Sequence, residues 1–460
     1  MKILKTWKDE RYGAQNTIYK LPNGTKLFHS IDPKTVDSTF TIYTKGGGLY
    51  ENSIGTTNGT AHFLEHVLAT NPNRHFKTRK QIEAYEFGTR AYPKIHSNAW
   101  TSRFGIAFHA STHYKGEYRA IKRVFSMLDS DPDTFGKYIE KERKIILAEL
   151  GQKDKPEKNA FLNYLDFVFG HLTEDYRKYV LGTEEDIKKI SEEDLKTHYE
   201  RIMSQDSVIL ALQSPSEISP KSRKIIDNID KFFAARKNPP LQPIPNEDMQ
   251  NQFKYKHFRD EKAANISIEI DTFSPNTLKQ DYRGRALRVF SFEMIHYILF
   301  QELREKKGYI YSSNPFYVNS LLNAYSLKGT YFSTNIENFK KAVDEYQKIV
   351  SKRVHTFAKS KLGIKWLESQ ISGVIYPSTS EYNDDYASTH ASKYLDGYEL
   401  SDFEKFKKAV MSIKVEDILS YIQDEILNKP SVIWITSDRE DQEIERIFKQ
   451  TLLYKHQSSL

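Results

Sequence analysis

Cysteine is absent from all 460 residues, and that single absence removes disulfides, thiolate metal ligands and thiol nucleophiles together. Any metal must therefore be held by histidine and carboxylate. Long apolar runs are missing too: nothing approaches the roughly 20 residues that a membrane-spanning helix needs. The opening, Met1-Lys2-Ile3-Leu4-Lys5-Thr6-Trp7-Lys8-Asp9-Glu10, lacks the apolar centre of a secretory signal. A cytoplasmic location is the expectation, with no membrane partner. Nor does charge of either sign dominate the chain. The 68 Lys and Arg are interleaved with 61 Asp and Glu, as in Lys137-Tyr138-Ile139-Glu140-Lys141-Glu142-Arg143-Lys144, which speaks against nucleic acid as a partner.

Histidine is scarce, 14 in all, so a pair with a glutamate set between them is informative. In Gly59-Thr60-Ala61-His62-Phe63-Leu64-Glu65-His66-Val67-Leu68 the two histidines stand four apart. On a helix they lie one turn above the other, with Glu65 beside them. Two imidazoles on one helix face supply two of the three protein ligands of a catalytic zinc and leave a position for water. Asn58, Gly59 and Thr60 offer capping chemistry before the run, and Asn71-Pro72 stops it. The order His-x-x-Glu-His is the inverted form of the common zinc-protease motif. The third ligand must come from elsewhere. Glu142 and Glu149, two turns apart on a helix expected over 137–151, project from nearly one face, and either carboxylate can serve.

The chain is long enough for two cores. Its first half reads as a hairpin over 16–28 about a Pro-Asn-Gly turn, a strand over 38–44 and the flexible end Gly46-Gly47-Gly48. The histidine helix follows, then a helix over 80–87 and one extended segment over 97–108 able to pair with a peptide by strand addition. Helices are expected over 118–128, 137–151, 159–169 and 192–203, and a strand over 207–212. Four prolines between Ala235 and Asp248 mark a connector. The division is thus a zinc-binding domain at 1–234, a linker at 235–248 and a second domain at 249–460. That second domain repeats the same kinds of element in similar order but carries no His-x-x-Glu-His. Its expected elements include strands over 264–273, 309–313, 324–333 and 431–436, and helices over 282–305, 336–354, 361–371 and 386–394.

Four stretches together resemble the M16 metallopeptidases. Gly59 to Leu68 is similar to that family's zinc helix, which implies His62 and His66 as ligands and Glu65 as general base. Ile139 to Leu150 resembles the helix with two glutamates, implying Glu149 as third ligand and Glu142 as its support. Asn98-Ala99-Trp100-Thr101 is similar to the substrate-pairing edge strand, implying that Asn98 and Ala99 bind substrate. Phe300-Gln301-Glu302-Leu303-Arg304-Glu305-Lys306-Lys307-Gly308-Tyr309-Ile310-Tyr311-Ser312 resembles the segment whose arginine and tyrosine complete the site; its spacing selects Arg304 for substrate and Tyr311 for the oxyanion. The resemblance implies an α/β (α+β) fold of two similar domains, each a mixed sheet packed with helices. It further implies one zinc per chain, peptide substrates, and a homodimer or a heterodimer with a related subunit, closing like a clamshell. A non-catalytic subunit of such a pair is the alternative.

Overall fold

The structure, a computed structural model, describes residues 1–152, 160–169, 180–236, 241, 252–275, 279–318, 325–376, 385–400 and 402–460. The chain forms two units, and they do not follow it in two blocks. Met1–Lys155, Glu174–Pro245 and Ser380–Leu400 make the first; Pro156–Thr173, Asn246–Thr379 and Ser401–Leu460 make the second. The expected connector at 235–248 lies outside the described residues except for 235, 236 and 241.

The first unit is built on a seven-stranded sheet of order β1-β2-β3-β7-β4-β6-β5. Its strands are β1 (Lys2–Asp9), β2 (Ala14–Lys20), β3 (Lys26–Ile31), β4 (Asp37–Lys45), β5 (Ile95–Thr101), β6 (Gly105–His113) and β7 (Val208–Ser214). Only β3 and β7 run parallel; all other neighbours are antiparallel. Both faces are covered, so β7 is buried throughout and reads as a continuous apolar run rather than an alternating one. Leu210, Leu212, Phe40, Ile42 and Phe108 pack with Phe63, Leu64, Ile121, Val124 and Ile226. The alternate residues Ile209, Ala211, Phe28, Tyr43 and Ala107 pack on the opposite side with Tyr386, Ala387, Ala391 and Leu395. Those last four lie on a helix, Tyr386–Leu395, from late in the sequence. Buried hydrogen bonds fix it there: Tyr386 donates to Asp9 Oδ2 at 2.9 Å and accepts from Asn16 Nδ2 at 3.1 Å.

The second unit has a five-stranded sheet of order β10-β11-β9-β12-β8. The strands are β8 (Lys254–Arg259), β9 (Ile266–Pro275), β10 (Ser312–Val318), β11 (Tyr325–Thr334) and β12 (Val432–Ser437). Ile268, Ile433, Ile435 and Phe332 form one core with residues of helices Tyr282–Leu299, Ile336–Lys348 and Val415–Ile422. The helix Ala160–Phe169, early in the sequence, packs here as well. Tyr164 meets Trp434 edge to face at 5.7 Å and donates to the fully buried Asp271 at 2.9 Å. Burial, reinforced by Glu269, pushes the Asp271 carboxyl well above the usual carboxylate range. Each sheet is thus completed by a helix from the other half of the sequence.

Two expectations change. The single extended segment over 97–108 is a hairpin of β5 and β6, turned where Ser102 Oγ accepts from Phe104 N at 3.2 Å and Gly105 N at 3.1 Å. The triple glycine is not a loose strand end. Gly46 N, Gly48 N and Leu49 N bond to Phe104 O, Ser102 O and Arg103 O at 3.1, 3.2 and 2.9 Å, and a Cβ on Gly47 would collide with the Ser102 carbonyl. Glycine is needed there because two backbones pass side by side.

Candidate metal centre

The histidine helix runs Thr60–Thr70, with Phe63, Leu64, Val67 and Leu68 inside the core and His62 and His66 on the flank of that stripe. Its start does not use the expected side-chain caps. Gly59 sits at φ 88°, and a Cβ there would lie 2.8 Å from Leu181 O, so only glycine fits. The free amides are instead taken by Glu51, which is wholly buried and accepts from Gly59 N at 3.0 Å and Ala61 N at 2.8 Å. A carboxylate at this position also answers the positive end of the helix dipole.

Across from it runs Ile139–Gln152. Glu149 Oε2 lies 3.6 Å from His62 Nε2 and 3.7 Å from His66 Nε2, and one ligand atom from each of the three residues falls within 4.8 Å of the others. Tetrahedral zinc with bonds of 2.0–2.1 Å sets its donors about 3.3 Å apart, so this donor set fits a divalent ion with little movement. Glu142 takes a different place. Its Oε2 is 3.6 Å from His66 Nδ1, the ring nitrogen that faces away from Glu149, while Oε1 accepts from Lys141 Nζ at 2.8 Å and Asn71 Nδ2 at 3.0 Å. Burial alone would raise the Glu142 carboxyl; the hydrogen bonds from His66, Lys141 and Asn71 outweigh it and hold it down at about 2. Glu142 thus stands behind the His66 ring, the place from which a carboxylate can orient a ligating imidazole. Asn71 also donates to Val67 O at 3.2 Å, tying the end of the histidine helix to the same carboxylate.

Glu65 belongs to neither set. Its Oε2 accepts from Thr101 Oγ1 at 2.8 Å, and burial raises its carboxyl, with Thr101 and His66 pulling the other way. Thr101 closes β5, the last strand of the sheet, which pairs on one side only. Ala99 is buried on the Glu65 side, while His96, Asn98 and Trp100 stand exposed on the alternate face. Ala99 and Asn98 therefore sit on an open strand edge two and three residues from Thr101, which touches the general-base candidate.

Arg304 and Tyr311 belong to the second unit. Arg304 lies on a π-helical turn, Phe300–Lys306, about half exposed, with its guanidinium 4.8 Å from the Phe300 ring centre. Tyr311 is 53% exposed just before β10, its backbone N–H bonded to Ser333 O at 2.8 Å. Glu51, Asn71 and Thr101 carry contacts that sequence reasoning did not assign. Asn71, directly after the helix, is the one whose position gave a signal.

Two imidazoles and one carboxylate thus lie where they could hold a single metal ion, with a second carboxylate alongside, on an α/β scaffold. A family model described as the peptidase M16 inactive domain matches residues 189–361, a segment that contains Arg304 and Tyr311 but none of the metal-centre residues. The mitochondrial-processing peptidase subunit beta of Saccharomyces cerevisiae is 28% identical over 238 residues, 50% of this chain and 47% of that protein. The human subunit is 31% identical over 166 residues, 35% of this chain and 32% of the relative. The chain thus spans about half, or less, of the length of these relatives. Among solved structures, the periplasmic protease PqqL of Escherichia coli aligns with a TM-score of 0.74 at 15% identity, over 98% of this chain and 50% of that one. A peptidase M16 inactive domain from Pseudomonas fluorescens aligns at 0.71 and 16% identity, over 92% and 98%. In sequence over part of its length, and in fold over nearly all of it, the chain is similar to M16 peptidases.

Proposed function

We propose that the protein is a zinc-dependent endopeptidase acting on extended or unfolded peptides. The observation that carries this reading is the convergence of His62, His66 and Glu149 on one point, with Glu65 beside them and outside the donor set. Zinc held by those three residues would supply a Lewis acid for the scissile carbonyl and a more acidic water. Glu65 takes the proton from the attacking water and passes it to the leaving amine, a role helped by burial that raises its carboxyl. Thr101 keeps the Glu65 carboxylate aimed. Glu142 holds His66 in one tautomer. The open backbone edge at Asn98 and Ala99 takes the peptide as an added strand.

Arg304 is proposed to help hold the extended peptide, and Tyr311 to stabilise the oxyanion, at the site of a second M16 chain, a copy of this one or a related subunit. The similarity to processing-peptidase beta subunits supports a paired state. The same similarity supports a second reading, a subunit that turns over only beside a partner. Both are addressed by digesting a peptide library with the purified chain, with chelator, and with chelator followed by zinc, read by mass spectrometry. Cleavage that chelator stops and zinc restores is expected. The variant Glu65→Gln should keep stoichiometric metal and lose at least ~100-fold in turnover; an active, metal-loaded variant would remove Glu65 from this role. Cleavage only after a related subunit is added would select the second reading.

A further inference from the structure

The segment leading into β5 is more basic than the chain as a whole. Between Arg74 and His96 stand six Lys or Arg and two Glu, and both acids are engaged. Glu83 pairs with Arg79 at 3.2 Å, while Glu86 accepts from Arg123 Nε and Ser97 Oγ, each at 2.5 Å. The loop after the helix Arg79–Glu86 is held in a fixed form. Thr89 N donates to Tyr92 O at 2.8 Å, and Thr112 Oγ1 to Lys94 O at 2.7 Å. Arg119, 7% exposed, lies over the rings of both Tyr85 and Tyr92, at 4.8 and 4.9 Å, and donates to Pro93 O at 3.0 Å. Yet this anchored loop turns rings outward. Phe87 is 60% exposed and Tyr92 47%, with Arg90, Lys94 and His96 exposed around them.

A connector needs no outward phenylalanine. Lone exposed rings are common, but here aromatic rings and cations share a rigid loop that runs without a break into the open edge of β5. Thr101, at the far end of that strand, touches Glu65. The six-residue step from Thr101 back to Ile95 covers about 20 Å of strand. A peptide paired along β5 with its scissile bond at the Thr101 end therefore reaches the loop six to eight residues away from the cut.

We propose that Phe87, Arg90, Tyr92, Lys94 and His96 form a docking surface for an acidic, aromatic-bearing stretch of the peptide substrate, six to eight residues from the bond that is cut. The proposal rests on the peptidase reading above and specifies its substrate class. The cations choose acidic residues, the rings choose aromatic ones, and the strand edge sets the spacing.

The test reads binding rather than turnover. Fluorescence anisotropy on the full chain carrying Glu65→Gln compares labelled peptides with one common extended core and either an Asp/Glu/Phe tail or a Ser/Ala tail. The tail is placed in turn on the N- and C-terminal side. One of the two acidic placements should bind about tenfold tighter than its neutral counterpart at low salt, the sum of two or three exposed charge contacts, and most of that gain should vanish at 0.5 M salt. The double variant Arg90→Glu/Lys94→Glu, whose side chains are exposed, should erase the gain, keep the affinity for the neutral peptide and melt with the parent; Phe87→Ser should remove part of it. Equal binding of acidic and neutral tails on both sides overturns the proposal. So does a gain that survives the double variant, or a single-stranded oligonucleotide that outcompetes the acidic peptide at this loop. Absence of cleavage by the wild-type chain would count against the peptidase reading alone, because the tail dependence is measured without turnover.

Discussion

Glu51 is the residue whose replacement tests the construction of the centre most directly. Its two oxygens accept from the first amides of the histidine helix, and His62 follows Ala61 immediately. Two hydrogen bonds to a buried carboxylate contribute about 1.5–3 kcal/mol each. Glu51→Ala removes both acceptors and the charge at the helix start. A loss of about 3–5 kcal/mol is expected, a large share of the ~5–15 kcal/mol that separates a folded domain from its unfolded chain. For a unit of this size each kcal/mol lowers the melting temperature by ~2–4 °C, which puts the drop near 10 °C. Glu51→Gln keeps one carbonyl acceptor for the two amides and should lose roughly half as much. Calorimetry of both variants, with zinc titrated against a competing chelator, gives the readout. Fraying of the first turn should move His62 and weaken metal binding, while His66, a turn later and tied to Glu142, keeps its place. A Glu51→Ala protein that melts within about 2 °C of the parent and binds zinc equally well would refute the argument.

The other predictions follow from neighbouring contacts. Asn71→Ala deprives Glu142 of one donor and the helix end of its tie, so zinc affinity should fall about 10-fold with little change in fold, as a chelator competition would show. Asp396 is buried beside Lys45 (3.6 Å), and burial, only partly offset by Lys45, raises its carboxyl to about 6. A folded-state pKa above the unfolded one means the folded protein holds the proton longer. Stability should therefore fall as pH rises from about 4 through about 6, by up to ~3 kcal/mol, and then level off. Asp396→Asn should flatten that slope, and urea melts at pH 4.5 and 7.5 that differ as much in the variant as in the parent would exclude Asp396 as its source. Gly59→Ala forces a Cβ against the Leu181 carbonyl at a positive φ and should cost ~1–3 kcal/mol, seen as a lower melting temperature.

What the sequence disclosed about this protein is mostly what short-range periodicity can carry. The four-residue step from His62 to His66 and the seven-residue step from Glu142 to Glu149 are properties of a helix, and each puts side chains on one face wherever the helix ends up. The division of labour between Glu142 and Glu149 is not periodic. It depends on which oxygen meets which ring nitrogen, and so on how two helices pack. Glu51 was invisible for a similar reason: it caps from eight residues upstream, through a bend that no local propensity describes. The β5–β6 turn was passed over because Ser102-Arg103-Phe104-Gly105 lacks the Asn-Gly or Asp-Gly pair of a tight hairpin and folds around a serine hydroxyl instead. The helix Pro220–Ala234 and strands β1 and β8 were missed outright. β1 is mostly exposed and rich in lysine, with little apolar alternation to announce it.

No amphipathic pattern states which sheet a helix will cover, so the trade of Ala160–Phe169 for Tyr386–Leu395 could emerge only from coordinates. That trade has a genetic corollary. A gene cut in the middle of the connector would yield two polypeptides, each missing one wall: the first would bare Ile18, Phe28 and Ile209 to water, the second Trp434 and Asp271. Neither product could mature alone, so any natural or engineered fission of this chain must keep both fragments present in the same compartment while they fold.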